Sequence, residues 1–314
     1  MIAFGAITID VSHPKRFSSI LQAGNRGRYT AVFNDGFRET DEVQGFAKSM
    51  NLKICTTLEE LADTVDIGMI HCCNWDKHLQ YIRAFADRGK PVFIDKPLVG
   101  NLRDAARLLE LTASGVKILG TSALRYCREV QSIRRQVEQA GAKVLHVDAA
   151  VGVDDFNYAI HGFETICTLM ADKPVSAAYL GSAASQKEHC DHYLLRFARG
   201  GTAVLHNFGK KYTQFHTMVL TDQGTDLAFT IDNGSLYDPM LDYICDELEG
   251  KENPLASMEE MLVPITAALA CRASKLADGA EIRLDDPVLE TVSFDGHAFE
   301  QEYAAAARRM YIAP

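Results

Sequence analysis

The first 120 residues alternate short apolar runs with amphipathic stretches of about ten residues, and this alternation constrains the fold more than any other feature. Residues 2–7, 29–33, 53–55, 65–71, 91–94 and 117–120 read as buried strands. Residues 14–23, 38–50, 77–88 and 102–114 read as the helices between them. Pro14 fits a first helical turn, with Ser12 or His13 as its cap, and Thr57-Leu58-Glu59-Glu60 has the form of a capping box. Strand–helix units with short connections demand a parallel, doubly wound sheet with right-handed crossovers, which binds ligands at the carboxyl ends of its strands.

The pattern then changes. Residues 143–151 form one long candidate strand, and 191–198 and 202–207 read as a hairpin around Arg199-Gly200-Gly201. Residues 217–221 and 226–230 form another pair, and 237–249 and 258–276 are helical. Longer strands with fewer helices predict a mostly antiparallel open sheet, so the chain divides into an α/β domain at 1–121 and a second α/β domain at 122–314. The formal net charge of −10 argues against a nucleic-acid backbone as partner. No stretch approaches the roughly 20 apolar residues that span a bilayer. The apolar start lacks a basic flank and reads as a strand, so a cytoplasmic protein is expected. The 8 cysteines show no metal or CxxC spacing and read as reduced, buried thiols. His189 and His192 flank Cys190 without matching distant ligands, and no metal is expected.

Several segments, in order, carry a resemblance. Gly89-Lys90-Pro91-Val92-Phe93-Ile94-Asp95-Lys96-Pro97-Leu98 resembles a "GKhVfxEKPl" segment with Asp95 in place of Glu. Ser122-Ala123-Leu124-Arg125-Tyr126 is similar to an Arg-Tyr or Arg-Phe segment opening a second domain. Asn157-Tyr158-Ala159-Ile160-His161-Gly162-Phe163-Glu164 resembles "DxGxHxxD". The Gly-Gly hairpin, the Gln223-Gly224-Thr225 turn and residues 267–276 follow in the same order. Together they resemble the glucose–fructose oxidoreductase and inositol dehydrogenase (Gfo/Idh/MocA) family over nearly the whole chain. The resemblance implies an N-terminal Rossmann domain and hydride transfer between NAD or NADP and a secondary alcohol of a sugar, cyclitol or polyol. It also implies a homodimer or homotetramer.

Alcohol oxidation requires a proton to leave the hydroxyl as hydride leaves the same carbon. A desolvated Lys96 suits that task, as does a neutral His161. The resemblance places both beside the nicotinamide. Asn157 stands where the family carries Asp and has no charge, so Tyr158 and Glu164 are the candidates to compensate. Arg125 and Tyr126 are expected on the substrate side, or else as packing at the domain junction.

The departure from the family lies in the first turn. A GxGxxG fingerprint aligns with Gly5-Ala6-Ile7-Thr8-Ile9-Asp10, and only the first glycine remains. Ile7 adds bulk where a diphosphate approaches, and Asp10 adds charge. Thr8, Ser12 and His13 offer replacement donors, with plain helix initiation as the alternative for Ser12 and His13. Asn34 or Asp35 ends the second strand as a ribose ligand or as an ordinary turn. A carboxylate there favours NAD over NADP, with Arg38 nearby, so NAD is the cofactor expected first. Cys73, Asn74 and His78 fall where the family places its nicotinamide loop, and Asp95 and Lys96 complete the expected cofactor set. On the same scaffold, a sugar lyase or hydro-lyase, or a noncatalytic ligand sensor with weakened or lost dinucleotide binding, is the alternative.

Overall fold

The computed structural model describes residues 1–185, 189–224 and 226–312. Thr225, the last residue of the expected Gln-Gly-Thr turn, lies outside them. The first half is a run of β1 (Ile2–Ile7), α1 (His13–Ala23), β2 (Gly27–Phe33), α2 (Thr40–Met50), β3 (Lys53–Ile54), α3 (Leu58–Thr64), β4 (Ile67–Ile70), α4 (His78–Ala86), β5 (Val92–Ile94), α5 (Leu102–Ala113) and β6 (Ile118–Gly120). Its sheet has the order β3-β2-β1-β4-β5-β6, with every pair parallel. The central strands are buried on both faces, which is why β4 and β5 are apolar without alternation. Thr57 caps α3 by accepting from the Glu60 backbone N–H, and Asn101 caps α5 in the same way through Asp104.

The second half contains α6 (Arg128–Gln139), β7 (Val144–Val151), α7 (Ala159–Met170), β8 (Pro174–Ala184), β9 (His189–Phe197), β10 (Thr202–Asn207), β11 (His216–Thr221), β12 (Asp226–Thr230), α8 (Asp238–Leu248), α9 (Met258–Leu276), β13 (Ile282–Arg283) and α10 (Gly296–Ile312). Its sheet has the order β12-β11-β7-β10-β9-β8-β13, antiparallel except where β7 meets β10. Alternation sends Val147, Ala149, Val151, Ala203 and Leu205 inward on the face packed by α7, while His146, Asp148 and His206 face outward. Apart from Cys167, α7 is buried along its whole length, so the loop before it is held firmly against the first half.

α6, β8, β13 and α10 escape a reading of the sequence. β8 is rich in alanine and becomes a strand through its pairing with β9. α10 returns from the second half to the first: Phe294 N–H donates to Gly100 O at 2.9 Å, and Gly296 N–H donates to Asp76 Oδ2 at 2.8 Å.

Candidate active site

β5 ends in Asp95-Lys96, at the carboxyl edge of the first sheet. Lys96 Nζ reaches across to the loop before α7 and donates to Asn157 O and Asn157 Oδ1, each at 3.0 Å. The Tyr158 ring centroid lies 5.0 Å from the same ammonium. His161 sits in the first turn of α7, with Nδ1 2.6 Å from Ser122 Oγ, so Nε2 is the nitrogen left to meet a substrate. Burial pulls Lys96 below the usual lysine range, against the opposing charges of Asp95 and Asp154. Burial, reinforced by the Lys96 charge, holds His161 well below the usual histidine range. Burial therefore shifts both groups toward the neutral forms that accept a proton.

Beneath Lys96 lies a network that the sequence did not reveal. Asp95 Oδ2 meets His13 Nδ1 at 2.5 Å and His71 Nδ1 at 3.1 Å, while its Oδ1 accepts the Lys96 backbone N–H at 2.9 Å. The outer nitrogens are also partnered, His71 Nε2 by Tyr29 OH at 2.8 Å and His13 Nε2 by Tyr237 OH at 3.0 Å. With each imidazole donating from Nδ1 and accepting from tyrosine at Nε2, the five groups satisfy one another. Burial acts to raise Asp95, but the His13 and His71 contacts outweigh it and hold the carboxyl well below its usual range. His13, His71 and Asp95 are close enough to hold a cation, yet their hydrogen bonding closes without one. His13 and Asp95 thus support the floor under Lys96.

The glycine corner is rebuilt. The Gly5 α-carbon faces α3, where a Cβ would fall 2.9 Å from Val65 Cγ2. Ile7 is fully buried at the end of β1. Thr8 holds φ at +60°, an unfavourable region for a β-branched residue, and its buried Oγ1 has no partner. Asp10 is fully buried, and its Oδ2 accepts the Cys73 backbone N–H at 3.2 Å. Its Oδ1 has no partner and lies where any Cβ at Gly36 would collide with it. The carboxylate therefore fills the gap between the ends of β2 and β4, and burial raises its proton affinity. α10 closes the same gap: Glu300 comes within 4.8 Å of Asp10 and Cys73, and the Tyr303 and Phe37 ring centroids are 6.0 Å apart. A dinucleotide diphosphate does not fit this corner as the chain holds it.

Most of the other expected ligands are committed elsewhere. Asn34 Oδ1 accepts from the Ile9 N–H at 3.2 Å, and Asp35 accepts from Tyr81 OH at 2.7 Å. Asn74 caps the following turn and donates to Glu300 Oε2 at 3.0 Å. The His78 ring is wedged between Leu98 O and Cys72 O, and burial pushes the Cys73 thiol far up. Glu164 does not face the cleft. It is fully buried, accepts from Thr121 and pairs with Arg125 at 2.8 Å, while Tyr126 OH accepts from the Ala256 N–H. These three residues hold the junction between the halves. Ser12 lines an adjoining cavity of about 570 Å³ whose walls include Ile9, Lys15, Arg38, Phe46 and Tyr303.

A profile of the oxidoreductase family with an NAD-binding Rossmann fold matches residues 9–122. Inositol 2-dehydrogenase of Paracoccus denitrificans is 27% identical over 203 residues, which is 60% of this chain and 59% of that protein. The match thus spans less than two thirds of this relative. The fold is similar to that of myo-inositol dehydrogenase from Lactobacillus casei, solved with NAD(H) and myo-inositol (TM-score 0.76, 14% identity, covering 92% of this chain and 99% of that one). It is also similar to an oxidoreductase from Thermotoga maritima (TM-score 0.74, 14% identity, covering 90% and 98%). The ordered motifs, the two-sheet architecture and these matches agree: residues 9–122 match the Gfo/Idh/MocA oxidoreductase model with its NAD-binding Rossmann fold, and the chain as a whole has the fold of the inositol dehydrogenases it resembles.

Proposed function

We propose that the chain is a dehydrogenase acting on a secondary hydroxyl of a sugar, cyclitol or polyol, with Lys96 and His161 handling the hydroxyl proton. The observation that carries this reading is Lys96 bridged to Asn157 beside His161, both held toward their neutral forms by burial. A substrate hydroxyl entering between them displaces one Lys96–Asn157 bond and passes its proton to the amine or to His161 Nε2. Asn157 orients a neighbouring hydroxyl, and the Tyr158 ring offers an apolar face to a sugar or cyclitol ring. A nicotinamide partner requires Asp10 to turn out or take up a proton, or requires the diphosphate to use the cavity beside Ser12, Lys15 and Arg38.

The filled corner favours a second reading, in which the Lys96 cleft performs acid–base chemistry on a polyol, such as lyase or hydro-lyase chemistry, without a dinucleotide. Calorimetry with NAD, NADH, NADP and NADPH, followed by a polyol and sugar panel read by nicotinamide absorbance, separates the two. The dehydrogenase reading expects binding of one nucleotide form and turnover of a panel member. A folded protein that binds none at millimolar concentration overturns it.

A further inference from the structure

Lys96 has three carboxylates and thiols within its electrostatic reach: Asp95, Asp154 and Cys73. Asp95 is consumed by two histidines, and burial disfavours the Cys73 thiolate. Asp154 remains, in the loop between β7 and α7. Its Oδ1 accepts the backbone N–H groups of Phe156 and Tyr158, each at 2.9 Å, which fixes the carboxylate in place. Its Oδ2 lies 3.4 Å from Asn157 Nδ2. An amide has one donor end and one acceptor end, so a carboxylate on the Nδ2 side forces Oδ1 to point the other way, at Lys96 Nζ. The three groups form one directed chain, carboxylate to amide to ammonium.

We propose that Asp154 is a positioning residue for Lys96: acting through the Asn157 amide, it supplies the negative charge that Asn157 lacks and fixes the direction in which that amide accepts from the amine. The proposal rests on the reading of Lys96 as the proton-handling group. The other groups facing the amine are His161 from α7, the Tyr158 ring, Asp95 from its own strand end and Cys73 from the loop after β4, and all of them are unchanged by substitutions at 154. Asp154→Asn keeps the shape and the Oδ1 acceptor but removes the charge, so the proton affinity of the amine falls further.

The test measures the pH dependence of Lys96 acylation by acetic anhydride, read by peptide mass spectrometry on the full chain. In Asp154→Asn the midpoint is expected to fall by about one pH unit, a tenfold loss of proton affinity. In Asp154→Asn/Asn157→Asp, where the carboxylate is moved one step along the chain, it is expected to return to at least the wild-type value. Asn157→Ala, which cuts the link and leaves Asp154 intact, is expected to shift downward as Asp154→Asn does, and it carries the test if Asp154→Asn does not fold. An unchanged midpoint in Asp154→Asn or Asn157→Ala overturns the proposal, as does a double variant that stays at the lowered value. No readout uses a dinucleotide or turnover, so a failed dehydrogenase assay leaves this result standing.

Discussion

The two ends of the crevice along the first sheet have been treated in opposite ways. At the β5 end, Lys96 keeps an amide, a ring and an imidazole around it, and every floor group is paired. At the β1 end, an acid fills the gap, two buried oxygens lack partners, and a helix from the far end of the chain lies across the opening. The difference teaches that the chemical end and the anchoring end of a Rossmann crevice are separable. One is specified by a few contacts between distant residues, the other by what the first turn leaves empty.

Lys96→Ala strikes the chemical end and has the largest expected effect. It should cost about 10³-fold in kcat/KM on whichever polyol the panel identifies, roughly 4 kcal/mol, with nucleotide affinity nearly unchanged. Equal turnover would remove the contrast, because the β5 end would then do no chemistry. Asp10→Gly is next. A charge pair near 4 Å at an effective dielectric of 20 is worth on the order of 4 kcal/mol, so removing the acid should tighten dinucleotide binding by about a hundredfold or more by calorimetry. Unchanged binding would show that α10, rather than Asp10, governs the corner.

Acid stability sharpens the comparison at the chemical end. Burial lowers the proton affinity of His161, His71 and His78, whereas an unfolded chain protonates each near pH 6.5. Below that pH the unfolded state binds more protons, so stability falls as pH drops from 7 toward 5, by up to about 1.4 kcal/mol per pH unit for each histidine. His161→Gln should flatten the fall by one histidine's share in melting curves. Glu300→Ala is the smallest effect, about 1 kcal/mol in thermal melts, because losing its contacts to Asn74 and Lys77 is offset by relief of repulsion at Asp10. In an Asp10→Gly background that offset is gone, and the same substitution should cost more.

The strands and helices of the first sheet, and the approach of the Lys96 and Asn157 segments to one another, were legible because they follow from local periodicity and from motifs at fixed spacing. Asp154 was not, since nothing in its spacing to Lys96 marks it; it acts through folded proximity across the two halves. Tyr29, His71 and Tyr237 were hidden for the same reason. His71 sits on a strand that reads as plain core, and Tyr237 reaches His13 from the other half. The run of alanines at 304–307 could have announced α10, but not where it docks. Ile7 implied bulk at the corner from its position in the fingerprint; in the structure it is a fully buried residue of a central strand whose last four residues are all buried.

The docking of α10 has a consequence for how the molecule comes apart. Trp75 Nε1–H donates to Phe294 O at 2.8 Å, and the Trp75 ring packs against both Phe156 and Phe299. A polypeptide cut after residue 121 would therefore bare an indole and its neighbours, although the cut falls between the two sheets. The segment from Phe294 to Phe299 belongs by sequence to one half and by cohesion to the other, so the first half is sealed only once that segment has been made and has docked.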